Sequence, residues 1–344
     1  MIKIALHCKI NKKELRSIGS SCFNSMKKLL LLFISVGMLI ACEQKSTVEK
    51  EIEKISVDVS VLRFDKVFAK ASITDLPKLK SQYPMFFSPR VSDSIYEQRL
   101  NDTLQHQLED EVLKAFPSEE KLSDELGPLF QHIKYYFPRF NEPTIATVIS
   151  DVDYDNKVII ADTLLVVSLD TYLGSDHFFY SDISKFITKN MRSEQIMPDI
   201  ATQYVRKLVS PPGSNSLLSQ MIYFGKELYL KDIWLPEISE AERIGYTDAE
   251  MQWAKANEEQ IWRYFVEREM LFNTDPKLSP RFINPAPFTK FYLDIDNESP
   301  GMMGRYMGWQ IVRSFMEKNE VTPQQLLLFD AETLYQKSKY KPKK

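Results

Sequence analysis

Four aspartates in the middle of the chain have the residue types and the spacing of a cation site. Asp151, Asp153 and Asp155 alternate with other residues, and Asp162 lies eleven positions after Asp151. Oxygen ligands at positions 1, 3, 5 and 12 of a loop are typical of calcium sites, because Ca2+ takes about six to eight oxygen ligands. Position 6 is Asn156 rather than the usual Gly, and position 12 is the shorter Asp. The sequence therefore favours a polar turn bonded to its own backbone, with a calcium site as the alternative.

A second acidic group, formed by Asp294, Asp296 and Glu298, lies shortly before Pro300. Paired carboxylates can exchange protons with a substrate or hold a ligand, so this segment is a candidate acidic binding loop. A solvated loop is the simpler interpretation, since the sequence supplies no partner site beside it.

The rest of the sequence lacks the patterns of the common catalytic sites. His106, His132 and His177 lie far apart, so none forms the ligand pair that zinc enzymes place one helical turn apart. No G-x-S-x-G elbow and no glycine-rich phosphate loop occurs, and all three cysteines lie at or before Cys42. The sequence therefore predicts neither a catalytic site nor a bound cofactor.

The N-terminal region has the three parts of a secretion signal. Met26 and two lysines precede an apolar run from Leu29 to Ile40, which is too short to stay in a bilayer as a permanent helix. The run ends in Leu39-Ile40-Ala41-Cys42, which resembles the bacterial lipobox, in which the cysteine receives a lipid and becomes the new N-terminus. We therefore expect an upstream extension at 1–25, a lipoprotein signal peptide at 26–41, and a polar tether at 42–54 that starts with the lipidated Cys42.

The net charge changes sign close to Cys42. Seven Lys or Arg and one acid give residues 1–41 a net charge of +6, so the remaining chain carries −9 of the total of −3. An acidic body repels nucleic-acid phosphates, because binding to them needs clustered cations that release counterions. Nucleic acid is therefore not an expected partner.

The hydrophobic pattern predicts a small sheet among many helices. Alternation from Ile55 to Val61 and β-branched runs at 144–149, 157–160 and 164–169 predict strands. An apolar residue at every fourth position predicts one long amphipathic helix through Leu100, Leu104, Leu108, Val112 and Phe116. Further helices are predicted at 195–209, 215–230, 248–272, 302–317 and 323–336.

Neither an internal repeat nor a flexible linker divides these elements. We therefore predict one mostly helical α+β domain at 55–336, followed by a basic C-terminal tail at 337–344. Gly301, Gly304 and Gly308 lie at the start of a predicted helix. They favour its close approach to a neighbouring helix over a dinucleotide site, because no strand leads directly into them.

Five segments together carry a family resemblance: the lipobox at Cys42, residues 62–66 (Leu-Arg-Phe-Asp-Lys), 135–138 (Tyr-Tyr-Phe-Pro), 169–174 (Leu-Asp-Thr-Tyr-Leu-Gly) and the long run 286–301. They resemble the gliding-motility lipoprotein GldB family of Bacteroidota. The resemblance implies a cell-envelope protein that is anchored in a membrane by its lipid, faces the periplasm and is needed for movement over surfaces. It implies other proteins of the gliding or secretion machinery as partners, and a non-catalytic binding or scaffold role without established enzymatic activity.

The order of the elements also resembles predicted zinc-dependent proteases with an HExxH helix. In this comparison Thr202 and Arg206 stand where the two histidine ligands fall, and Gln203 replaces the catalytic glutamate. Thr is a poor zinc ligand, Arg cannot be one, and Gln cannot take a proton from water. The resemblance implies a degenerate zincin-like fold, that is, a pseudoenzyme. A hydrolase, or a carboxylate- or metal-dependent enzyme related to these proteases, is the alternative function.

Overall fold

A four-stranded mixed sheet forms from the β-branched segments. The computed structural model describes residues 46–294 and 296–343. The strands are β1 (Val61–Leu62), β2 (Thr144–Val148), β3 (Val158–Ala161) and β4 (Leu164–Ser168). Their spatial order is β1-β2-β4-β3; β1, β2 and β4 run parallel, and β3 lies antiparallel to β4 at the edge. The predicted mostly helical α+β class with a small sheet is confirmed.

The described residues also form sixteen α-helices, joined in several places by short 3-10 turns. We number them α1 (Thr47–Ile52), α2 (Phe64–Ala69), α3 (Leu76–Gln82), α4 (Asp93–Leu100), α5 (Thr103–Ala115), α6 (Glu120–Tyr136), α7 (Lys185–Thr188), α8 (Ile196–Leu208), α9 (Leu217–Trp234), α10 (Glu240–Ile244), α11 (Asp248–Ala256), α12 (Glu258–Glu267), α13 (Leu278–Phe282), α14 (Met303–Lys318), α15 (Pro323–Leu328) and α16 (Ala331–Ser338). In the part of the chain that is described, none of these helices has the length and apolar character needed to cross a membrane.

The chain divides into a unit that ends at Glu51 and a unit from Ile52 to Lys344. The first unit is described only at residues 46–51, most of which lie in α1. The second unit holds the whole sheet and all the other helices.

Four predicted elements have the wrong extent, and two of them, the helices predicted at 248–272 and 323–336, each form two helices. The expected strand from Ile55 pairs only at Val61 and Leu62, although Val57 and Val59 still pack against the core beside the sheet. The alternation of apolar and polar residues predicts which side chains are buried. It does not predict which backbone groups form hydrogen bonds to a neighbouring strand. The long helix expected from Leu100 is in fact two helices.

Asp102 separates those two helices. Its carboxylate accepts hydrogen bonds from the backbone N–H groups of Leu104 and Gln105, which starts α5 afresh. As a result Leu104, a member of the predicted apolar stripe, is 64% exposed. Leu108 and Val112 are buried as predicted.

Helix α9 is apolar around much of its circumference because it joins the two largest hydrophobic clusters. Leu217 and Leu218 near its start pack with α10 to α16, whereas Leu230 and Trp234 near its end pack with the sheet, α6 and α8. A helix buried on several sides needs apolar residues on several faces. The polar groups that α9 nevertheless carries therefore need a specific explanation.

Glycines bring α14 into backbone contact with α9, as predicted. A Cβ at Gly308 would lie 1.8 Å from the carbonyl oxygen of Met221, and one at Gly225 would lie 2.3 Å from the carbonyl oxygen of Gly308. No side chain fits at either position, so both helices use glycine where they cross. This crossing fixes the distance between the polar groups of α9 and those of α14.

Candidate functional site

Helix α8 presents a polar side to α9 because its polar residues recur at helical spacing. Ile200, Ala201 and Val205 are buried in the cluster beside the sheet. Asp199 and Thr202 lie three positions apart and are half-buried. Spacing of this kind puts both side chains on one face of the helix, where they reach α9 and the sheet.

Helix α9 carries two buried charged residues on the side that faces α8. They are Glu227 and Lys231, which lie one helical turn apart. Both are 5% exposed, and Lys231 Nζ lies 3.5 Å from Glu227 Oε1. Lys231 also donates a 3.1 Å hydrogen bond to the carbonyl oxygen of Arg243. Burial lowers the pKa of Lys231, and the nearby carboxylates of Glu227 and Asp199 oppose that shift. The pair satisfies only part of its hydrogen-bonding capacity.

Thr202 completes one side of the pair. Its hydroxyl lies 2.9 Å from the carbonyl oxygen of Pro198 and 3.4 Å from Glu227 Oε1, and it can donate to either oxygen. Glu227 Oε2 is fully buried and has no hydrogen-bond partner in the described part of the protein. An unpartnered buried carboxylate oxygen is costly, so this atom marks a place where the fold leaves a polar group unsatisfied.

Asp199, on the same face of α8, bonds to residues in and beside the sheet. It pairs with Lys157, which precedes β3, and accepts a 2.9 Å hydrogen bond from the Tyr172 hydroxyl. Burial, together with the Asp199 charge, raises the pKa of Tyr172 well above its usual value, so that Tyr172 stays a hydrogen-bond donor. Both contacts are made by Oδ2 of Asp199, and they tie α8 to the sheet.

Arg305 approaches the cluster from α14. Its Nε donates a 2.7 Å hydrogen bond to the carbonyl oxygen of Ile283, and its guanidinium lies 3.9 Å from the centre of the Phe224 ring. Burial lowers the pKa of Arg305, while the Glu227 charge opposes that shift. Arg305 thus adds a second cation near Glu227.

The side chains around Glu227 do not fit a metal ion. The nearest groups are the Thr202 hydroxyl and the Lys231 ammonium, with the Arg305 guanidinium in electrostatic reach. Ammonium and guanidinium groups have no lone pair to give and repel a divalent cation, so this donor set suits an anion rather than zinc. Within residues 46–294 and 296–343, no group of three or more His, Cys, Asp or Glu is placed to hold a metal.

The three positions singled out on α8 are not equivalent in the structure. Thr202 contacts Glu227, Gln203 is half-buried, and Arg206 is exposed. Sequence reasoning did not identify Glu227 as part of a site. The sequence does contain a sign of this site: a largely apolar helix carries two opposite charges four positions apart, at Glu227 and Lys231.

The first acidic turn bonds mostly to neighbouring parts of the protein. Asp153 accepts hydrogen bonds from the backbone and side-chain N–H groups of Asn156, and Asp151 pairs with Arg99 at 2.8 Å. Asp155 and Asp162 are exposed. These contacts are those of a polar turn, and calcium binding there stays a prediction.

A buried carboxylate, Asp170, holds the start of that turn. It accepts hydrogen bonds from the backbone N–H groups of Ser150 and Val152, at distances down to 2.6 Å. Burial raises the pKa of Asp170, because the charged form loses hydration there. Asp170 therefore shapes the turn, and its role is structural.

The second acidic group shapes its own loop. Asp296 accepts hydrogen bonds from the backbone N–H groups of Phe291, Tyr292 and Leu293, at 2.8 to 3.2 Å. Asp294 and Glu298 are exposed. Asp296 is thus a loop-forming residue, and ligand binding by this segment stays a prediction.

Comparison with known families gives the assignment of the chain. The fold and the site define an α+β protein in which a buried, metal-incompatible charge cluster joins α8, α9 and α14. The family described as gliding motility protein GldB matches residues 45–342, and the chain belongs to this family. Membership implies involvement in gliding motility and association with the gliding machinery. Comparison with curated proteins and with solved structures gives no match.

The predicted lipidation site lies outside the described residues. Cys42, the signal peptide at 26–41 and the extension at 1–25 all precede Ser46, the first described residue. The family description supports an envelope lipoprotein in general terms. The lipid anchor itself therefore stays a prediction.

Proposed function

We propose that this chain is a lipid-anchored, non-catalytic binding or scaffold component of the gliding and secretion machinery, facing the periplasm. The observation that carries the non-catalytic role is the composition of the cluster around Glu227. Lys231 and Thr202 contact that carboxylate, and among the described residues no group of three or more His, Cys, Asp or Glu is placed to hold a metal. A carboxylate held by a cation can position a helix or a ligand without taking part in a reaction.

The proposed anchor rests on the sequence before the body. The apolar run from Leu29 to Ile40 and the Leu39-Ile40-Ala41-Cys42 motif supply a secretion signal and a lipid attachment site. The polar stretch that starts at Cys42, part of which forms α1, then separates the body from the bilayer. An anchored binding protein acts at the membrane surface at a fixed ratio to its partners.

Dependence of gliding on the amount of protein tests this role. Each assembly needs its own copy of a scaffold protein. An enzyme turns over many times, so it can support function when most copies are removed. We expect gliding speed to fall in proportion to protein level when expression from a titratable promoter is lowered. Gliding that stays near its full speed after roughly tenfold depletion would instead support the hydrolase alternative.

A further inference from the structure

A cavity of about 610 Å3 lies between α8, the loop that joins α6 to β2, and the hairpin that joins β3 to β4. Tyr204, Lys207 and Leu208 line it from α8. Their spacing of three and four positions puts these side chains on one face of the helix. Ile160 of β3 lines the cavity from the sheet. Regular secondary structure therefore builds two of its walls.

Aromatic contacts fix the wall that the loop between α6 and β2 provides. The Phe140 ring centre lies 5.3 Å from that of Tyr204 and 5.4 Å from that of Phe130. The Phe137 ring packs edge-on against Trp234, with 5.6 Å between the ring centres. Aromatic pairs of this geometry stabilise the packing beyond the area they bury, so they hold the loop in one position. The cavity is therefore present without a ligand.

The walls of this cavity are largely apolar. Phe137, Phe140, Ile160 and Leu208 all line it, and Leu208 is 37% exposed although it belongs to an apolar residue type. Removing apolar surface from water is favourable, and small-molecule sites are mostly apolar with a few polar groups. The cavity therefore suits a ligand with a hydrocarbon body.

Two exposed cations line the same cavity where it reaches the protein surface. They are Arg139 and Lys207, and neither forms an ion pair with another residue in the described part of the chain. Asp162 is the acid in this lining and is exposed as well. Two positive charges against one negative charge attract an anion to the opening.

We propose that this cavity binds a long-chain monocarboxylate of the fatty-acid class. The hydrocarbon chain lies against the aromatic and aliphatic walls, and the carboxylate pairs with Arg139 and Lys207 at the opening. Ion pairs of this kind form charge-assisted hydrogen bonds. A proline-rich peptide also fits an aromatic-lined groove, but its prolines carry no charge to pair with the two cations. The proposal goes beyond the scaffold role and adds a small-molecule site to it.

Calorimetric titration of the full chain with Cys42→Ala tests the proposal, because this variant is expected to carry no acyl chain of its own. The probes are decanoate, decyltrimethylammonium and butyrate. We expect saturable binding of decanoate and at least about tenfold weaker binding of the other two, because one lacks the negative charge and the other most of the hydrocarbon chain. Equal affinity for decanoate and either of them, or no saturable binding of decanoate, would overturn the proposal. Displacement of decanoate by a lower concentration of hexaproline would assign the cavity to a peptide instead.

Two charge-matched double variants complete the test. Arg139→Gln combined with Lys207→Gln removes both cations of the lining and is expected to weaken decanoate binding at least about tenfold. Arg90→Gln combined with Arg206→Gln removes two equally exposed charges that do not line the cavity, and it is expected to leave the affinity unchanged. Equal effects of the two double variants would contradict the proposed ion pairs. Such a failure leaves the scaffold role to be judged separately by the depletion experiment.

Discussion

The hydroxyl of Thr202 lies 3.4 Å from Glu227 Oε1, so α8 meets α9 through a threonine and a glutamate. In the remoter resemblance, Thr202 occupies the place of a histidine metal ligand. In the structure, Lys231 lies 3.5 Å from the same carboxylate, one turn further along α9. Because cations already accompany the Glu227 carboxylate, the cluster suits a structural or ligand-binding role better than metal binding.

A buried ion pair near β1 is expected to matter far more than an exposed one. Arg63 makes two hydrogen bonds to Asp65, at 2.9 and 2.7 Å, and both residues are less than a tenth exposed. Asp65→Asn leaves the Arg63 charge uncompensated, and we expect it to lower the free energy of unfolding by about 3 kcal/mol. Urea denaturation measures this change.

The matched control for that substitution is Asp151→Asn. Asp151 pairs with Arg99 at 2.8 Å, but its side chain is 69% exposed. Exposed pairs contribute about 0–1 kcal/mol, so the expected loss is small. Equal losses in the two variants would contradict the interpretation of the Arg63–Asp65 pair.

A Gly→Ala substitution where α9 and α14 cross should destabilise the protein, whereas one at an uncrowded glycine should not. Gly308→Ala places a Cβ 1.8 Å from the Met221 carbonyl oxygen, so we expect a loss of about 3 kcal/mol or more in unfolding free energy. A Cβ added at Gly213, in the loop before α9, would meet no described residue within 4 Å apart from its chain neighbours, and Gly213→Ala should stabilise the protein by about 0.4–1 kcal/mol. Thermal unfolding distinguishes the two; a tolerated Gly308→Ala would contradict this packing.

Because Lys226 is buried, we expect the free energy of unfolding to change with pH in the alkaline range. Its ammonium donates to the carbonyl oxygens of Phe329 and Leu327, and burial lowers its pKa from 10.5 to about 8. Between these two pH values the unfolded chain binds more protons than the folded one, so the free energy of unfolding rises with pH.

Comparison with Lys226→Met isolates this effect. The advantage of the wild-type protein over the variant should grow between about pH 8 and about pH 10, as the folded amine becomes neutral and keeps its hydrogen bonds. Urea denaturation at several pH values measures the difference. A difference that is constant or shrinks over this range would show that Lys226 is not desolvated.

Lipidation is expected to depend on a single cysteine. Cys42→Ala should abolish incorporation of a fatty-acid probe and leave an uncleaved precursor, because the modified thiol is lost. Cys22→Ala lies in the predicted upstream extension and should leave labelling unchanged. Labelling that persists in Cys42→Ala would disprove the anchor.

Much of the fold could be predicted because local pattern and burial agree there. The strands β2, β3 and β4 and the glycines of α14 follow from residue types that permit few alternatives. Helix breaks were less predictable. Asn257 separates α11 from α12 inside a segment predicted as one helix, by donating from its side chain to the Trp253 carbonyl oxygen.

The candidate site was only partly predictable, because its residues come from distant parts of the chain. Thr202 is identifiable on α8 from the sequence, whereas Glu227 reaches it only through the packing of α8 on α9. Arg305 comes near Glu227 only through the crossing of α9 and α14. Acidic residues were the misleading signal. Asp153 and Asp296 stood out in the sequence, and in the structure each bonds nearby backbone groups.

Metal analysis of the purified full-length protein after dialysis tests the central claim most directly. The cations that accompany Glu227 predict zinc far below one ion per chain, and no change in thermal stability when zinc is added. Stoichiometric zinc that is retained by the wild-type protein and lost in Glu227→Gln would contradict the account and would identify the cluster as a metal site.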